Sequence, residues 1–256
     1  MGGLYAVFRK EVASYFVSPV AYAVIAIFLC ITGFFFWANL AVMSELSLKA
    51  ANNPMLSDRI NVQSIVVRPL MANMAVIILF LSPLITMRLF SEEKKSGAIE
   101  LLLTYPIHDV AIMLGKFFGA AFMILVMLAG TVTYPLMLAG LGETDLRVMY
   151  CGYLGLFLLG LAFVSLGMFV STLTENQIIS AAITFCAAIG CWVLGWAGSI
   201  SDDRIGFLFR QMSVLEHLEP FTKGIISLSD VSFFLLFLVF FLFLTLRSLE
   251  THRWRG

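Results

Sequence analysis

The densest chemistry in the chain lies between Arg88 and Tyr105. Arg88, Glu92, Glu93, Lys94, Lys95 and Glu100 crowd together in a protein that is only 12% charged. Ile99, Leu101, Leu102 and Leu103 follow at once. A polar head leading into a short apolar helix suits docking to a soluble partner at a membrane surface better than it suits catalysis. Elsewhere the catalytic signals are missing. There is no Gly-x-Ser-x-Gly elbow and no pair of carboxylates placed for acid–base work. His108, His217 and His252 are far apart on different expected segments, so no metal site is expected. The one Gly-Lys pair, Gly115-Lys116, runs into Phe117 and lacks the phosphate-binding pattern, so the chain is not expected to bind ATP.

The elements around this knot of charge are read from composition. The 256 residues are 61% hydrophobic, with mean hydropathy +0.97, far from soluble globular composition. Formal net charge is zero, so no nucleic-acid partner is expected. A helical span needs about 20 mainly apolar residues. Six segments meet this: 20–42, 70–90, 110–142, 148–174, 176–201 and 230–249. The expected architecture is one all-α transmembrane domain over 1–256, with the charged segment 91–109 between the second and third spans. No charged residue falls in the middle of a span, which weakens an ion-coupled carrier reading.

Residues 1–19 read as an amphipathic helix at the interface. Leu4, Tyr5, Phe8, Val12, Tyr15 and Phe16 form the apolar stripe, with Arg9, Lys10 and Ser14 off it. Pro19 breaks it before the first span. That run is too long, and follows too many polar residues, for a cleavable signal. Six spans put both ends on one side. Counting Lys and Arg near span ends gives nine on that side and seven on the other, which favours termini inside. Asp109 reads as an N-cap for the third span. Thr174-Glu175-Asn176-Gln177 reads as a capping box in which the Thr174 hydroxyl meets the Gln177 amide, with contact by Glu175 to a partner as the alternative. Segment 202–229 is partly apolar, and reads either as a short helix dipping into the outer leaflet or as an external amphipathic helix. Gly115-x-x-x-Gly119 and Gly152, Gly155, Gly160 and Gly167 allow close helix approach, within the chain or between subunits. Phe34 to Trp37 read as an aromatic belt. The cysteines, Cys30, Cys151, Cys186 and Cys191, form no CxxC pair and read as apolar filler.

Taken together, Met87–Leu103, Pro106 and Gly115-Lys116 make the chain resemble the permeases of type-2 ABC exporters. Phe8-Arg9-Lys10-Glu11 with Ser18–Tyr22, Ser171–Gln177, Gly224–Asp230 and Arg253-Trp254 add to this. The combination is most similar to the gliding-motility-type subunits. One departure is Ala98, where that family usually has threonine after the glycine.

The resemblance implies a half-transporter in the bacterial inner membrane. Phe8, Arg9, Lys10 and Glu11 would belong to a connecting helix. The segment from Gly97 to Leu103 would be a coupling helix seated on a cytoplasmic ATPase, with Ile99, Leu102 and Leu103 as its apolar face and Leu101 beside them. Glu92, Glu93 and Glu100 would pair with basic groups on the connecting helix or the ATPase, and Lys94 would belong to the same coupling set. Residues 202–229 would gate the external exit. ATP and magnesium would sit on the separate ATPase, with no cofactor here. A second permease subunit, identical or paralogous, would complete the pore. An auxiliary subunit with a large external domain accompanies many gliding-type members. Two functions remain open at this stage: export by alternating access, and a scaffold that passes force from an ATPase to an external-domain protein without flux. The substrate is not readable.

Overall fold

The computed structural model describes residues 2–51, 61–98, 108–140, 145–200 and 204–253. Every regular element among them is helical. In chain order these are α1 (Gly2–Val17), α2 (Pro19–Ala51), a π-helical turn (Gln63–Val67), α3 (Arg68–Thr86), α4 (Ser91–Lys95), α5 (Asp109–Gly130), α6 (Thr133–Gly140), α7 (Leu146–Leu173), α8 (Gln177–Ile200), α9 (Arg204–Met212), α10 (Val214–Thr222) and α11 (Leu228–Arg253). Six helical stretches are long and apolar enough to cross a membrane. Six is the number expected from the sequence.

The breaks follow the residues that cannot continue a helix. Pro19 opens α2 after the bend at Ser18. The widened π-turn precedes Arg68-Pro69, where the missing proline N–H removes a rung of the ladder. Span 2 is α3, and a turn over 87–90 separates it from the short α4. Span 3 is α5 and α6, interrupted at Thr131 and Val132.

Three boundaries differ from the sequence reading. The first helix continues past residue 42 to Ala51, giving 33 residues. That is about 50 Å of helix, against about 30 Å of hydrocarbon, so its last turns extend beyond the membrane. Asp109 is the first helical residue and not the cap. His108 takes the extended cap conformation (φ −65°, ψ 137°), and Asp109 adds an acid to the first turn, where the helix dipole favours it. Segment 202–229 holds two helices, of which α10 packs into the bundle. Phe221 and Leu218 are buried against Gly155, nine residues into α7, about 14 Å along that helix. Of the two open alternatives, this favours the dipping helix.

Span 4, α7, is the axis of the bundle. It packs on α3, α5, α8, α10 and α11. Glycines make this crowding feasible. A Cβ on Gly155 would lie 2.6 Å from the Phe221 Cβ, and one on Gly160 would lie 2.6 Å from the Ile124 Cγ2. A Cβ on Gly167 would meet the Thr86 hydroxyl. Among the two readings of the small residues, packing within the chain accounts for these three. The outer faces of α2, α8 and α11 are mostly exposed apolar surface, as lipid-facing helices require.

Gly160→Val should cost about 1–3 kcal/mol through overpacking against Ile124. Thermal unfolding in detergent should show a lowered midpoint. A variant as stable as the parent contradicts the close contact of α5 and α7.

Candidate functional site

The site begins with two glycines. Along α5, Gly115 and Gly119 lie one turn apart on one face, and α1 lies directly on them. A Cβ on Gly115 would sit 2.8 Å from the Val7 Cβ, and one on Gly119 would sit 2.7 Å from the Glu11 Cγ. The pair is thus a seat for α1 within the chain. The buried edge of α1 runs through Val7, Glu11 and Tyr15. Tyr5, assigned to the apolar stripe from its spacing, is 64% exposed, and the carboxylate of Glu11 faces the interior in its place.

What Glu11 meets there is Lys116, which is 3% exposed. The Lys116 ammonium lies 3.3 Å from Glu11 Oε2 and 2.9 Å from Glu93 Oε1. Its Nζ also stands 5.2 Å from the centre of the Phe90 ring. Lys10 reaches Glu93 at 3.8 Å from the exposed side. One buried cation therefore joins three elements: α1 through Glu11, α4 through Glu93, and span 3 through its own backbone. Two carboxylates on one ammonium leave a negative excess, which Lys10 and Arg88 offset. These groups, with Ser14, Glu92 and Ser96, line a polar cavity of about 210 Å³.

A second tie joins α1 to the end of span 2. The Arg88 guanidinium lies 4.3 Å above the Tyr15 ring, a cation–π contact. The Tyr15 hydroxyl donates to the Ile85 carbonyl at 2.9 Å. Burial pushes the Tyr15 phenol well above its ordinary range, and Glu11 adds to this, so the hydroxyl stays a donor.

A third tie runs to span 4. The turn at 87–90 leaves the amides of Phe90 and Ser91 without helical partners, and both donate to the Ser171 hydroxyl, at 2.9 and 3.1 Å. The Ser91 hydroxyl donates to the Ser171 carbonyl at 3.2 Å. The Lys94 ammonium donates to the Thr172 carbonyl in the last turn of α7. Glu175, in the turn to α8, acts on Lys94 electrostatically. The turn itself is built differently from a capping box. The Asn176 amide donates to the Thr174 hydroxyl at 3.1 Å, and the Ile178 amide donates to the Asn176 side chain at 2.9 Å. Asn176 thus caps α8, because Thr174 is two residues too early to reach the first helical amides.

The structure brings together Lys10, Glu11, Glu92, Glu93 and Lys94, and sets Thr174, Glu175 and Asn176 beside them, followed by Gln177 as the first residue of α8. It separates Phe8, which packs edge-on against Phe122 at 6.3 Å, and Arg9, which is exposed. Gly97 has φ +70°, a left-handed conformation that side-chain-bearing residues resist, and it turns the chain away after α4. Ile99, Glu100, Leu101, Leu102 and Leu103 lie outside the described residues. Lys116, Tyr15, Arg88 and Ser171 were not among the site residues expected from the sequence. For Lys116 a signal existed: it is a lone cation two turns inside an otherwise uncharged span, flanked by two glycines at helical spacing.

Chemically the site is an ion cluster and a set of inter-helix ties. Among the described residues no group of three or more His, Cys, Asp or Glu side chains could hold a metal.

A family model described as ABC-2 family transporter protein matches residues 39–202, well over half of the chain. The match includes the charged knot, Lys116 and the serine tie. No curated protein matches the chain.

Lys116→Met would leave Glu11 and Glu93 facing each other without their shared cation. Breaking a buried pair this way should cost about 3–5 kcal/mol. Adding Glu11→Gln and Glu93→Gln removes the stranded charges and should restore most of the loss. Thermal denaturation in detergent reads both. An unchanged midpoint in the single variant contradicts the cluster.

Proposed function

This chain belongs to the ABC-2 family of transporter proteins and is a multi-pass membrane permease subunit, and on that premise we propose that it is the half-transporter of a bacterial inner-membrane exporter. ATP hydrolysis belongs to a separate ATPase subunit in this family. In our reading that ATPase docks from the cytoplasm on the segment Gly97–Leu103. A second permease subunit, of the same or a paralogous chain, completes the path for substrate. The gliding-motility-type assignment, with an auxiliary subunit bearing a large external domain, belongs to the same proposal.

The observation that carries this reading is the Glu11–Lys116–Glu93 cluster. A docking segment transmits force only if its root is tied to the spans. Here the root is α4, tied to span 3 and α1 by ions and to span 4 by Ser171. When ATP closes the two ATPase subunits, displacement of the coupling segment enters α1 and spans 2, 3 and 4 together. Outward from there, α7 leads to the packed helix α10, which is the moving part of an external gate in this account. Alternating access follows from tilting this tied body against the peripheral spans. Termini inside the cell are part of the same reading, since α1 and the knot lie at one end of the bundle.

The test is reconstitution with the partner ATPase in vesicles. Leu102→Ala removes an apolar anchor of the docking face. It should weaken the complex by about tenfold or more, as the loss of a central interface side chain does. Glu100→Lys should lower stimulated ATP hydrolysis as well. If both variants leave partner binding and hydrolysis unchanged, the segment is not the docking element. Hydrolysis without movement of any cargo would instead favour the force-transmitting scaffold.

A further inference from the structure

Below α1, on the side away from the ion cluster, the helices leave an apolar groove of about 360 Å³. Leu4 and Phe8 of α1 form its roof, and Phe118, Phe122 and Leu125 of α5 form one wall. Phe157 of α7 closes the back, and Ala121 is the smallest lining side chain. None of these side chains is charged. Phe118 and Leu125 are 46% and 47% exposed, so the groove opens sideways from the bundle.

Its depth is informative. From Asp109, Phe118 lies nine residues and Leu125 sixteen residues along α5, about 14 and 24 Å. Phe118 and Leu125 are thus seven residues, about 11 Å, apart along the span, less than half the thickness of a hydrocarbon core of about 30 Å. That is the reach of one acyl chain in one leaflet. Its upper end carries a cation. Arg9 follows Phe8 and is turned about 100° from it around α1, so it lies beside the roof on the exposed face of that helix. Arg9 is exposed, as is Tyr5 one turn away, and Arg9 makes no ion pair among the described residues. The acidic residue of α1, Glu11, is turned inward to Lys116 and cannot repel an anion here.

We propose that this groove is a binding site for an anionic glycerophospholipid of the surrounding bilayer. One acyl chain lies beneath Phe8, and the phosphate meets Arg9. The basic cap and apolar groove are continuous along α1, which is the complement of such a lipid. The bound chain fills the gap between α1 and span 3 on the side the ion cluster does not hold. The inference needs the six spans and α1 only, and stands whether or not an ATPase docks at Gly97–Leu103.

The experiment is native mass spectrometry of the full chain, extracted from vesicles of equal parts phosphatidylglycerol and phosphatidylcholine. The parent should retain phosphatidylglycerol over phosphatidylcholine by about fivefold, the effect of one basic residue at a membrane surface. Arg9→Gln, a surface change that leaves the fold intact, should bring that ratio to about one while lipid is still retained. Ala121→Phe fills the groove and should lower retention of both lipids. A parent ratio of one overturns the proposal, as does an unchanged ratio in Arg9→Gln. Conversion of a dimer to a monomer by Ala121→Phe, with lipid retention unchanged, assigns the groove to a second copy and overturns it as well.

Discussion

An ammonium buried two turns inside a membrane span is tolerable only if carboxylates and hydrogen-bonding groups surround it. Lys116 imposes that constraint on everything near it. Its partners must come from outside its own span, because the neighbouring turns of α5 are uncharged. Glu11 can arrive only if α1 lies flat on α5, and α1 can lie flat only over glycine at 115 and 119. Glu93 can arrive only if span 2 ends in a turn that sends α4 back across the bundle. The glycine pair, the interfacial helix and the break after Thr86 are thus three consequences of one buried charge.

From that cluster the ties extend outward in order. Ser171 takes up the amides freed by the 87–90 turn and fixes α4 to α7. The glycines of α7 then hold it against spans 2 and 3, and at its far end against Phe221 of α10. At the opposite end of the bundle a second buried polar pair anchors α10 to the start of α11. His217 Nδ1 and Asp230 Oδ1 share a hydrogen bond of 2.7 Å, Nε2 donates to the Gln211 carbonyl at 3.0 Å, and the ring stacks 4.0 Å from Phe233. Polar ties thus stand at both ends of the axial helix, and close apolar packing fills the length between them. Such a body tilts as a unit more readily than it bends, since interiors this dense do not deform continuously.

The spans were legible because hydropathy over 20 residues leaves few alternatives. Their ends were less so: nothing in the composition of residues 43–51 marks the end of the hydrocarbon as the end of a helix. The knot was legible as charge against an apolar background; Glu93 and Lys94 were named from it, and Glu11 came from the family resemblance. Lys116 was missed as a site residue because a single lysine near a span end usually reaches for solvent. Only its partners, distant in sequence, keep it inside. The same holds for Tyr15 and Ser171, whose roles depend on contacts 70 to 84 residues away. Thr174 illustrates a local error: the residue pattern of a capping box was present, but α8 starts after Asn176 and the register was off by two residues.

The central claim is that α1, the knot and the first turns of span 3 move as one body. It is tested most directly by distance measurement between spin labels at Ala13 and Lys95, both exposed, after replacing Cys30, Cys151, Cys186 and Cys191. With the partner ATPase present, the Ala13–Lys95 distance should be the same and narrowly distributed with and without ATP. Over the same transition, the distance from Lys95 to its counterpart in the second permease should change. Lys116→Met should broaden the first distribution and uncouple the two. A change in the Ala13–Lys95 distance on ATP binding, with Lys116 intact, would contradict the account.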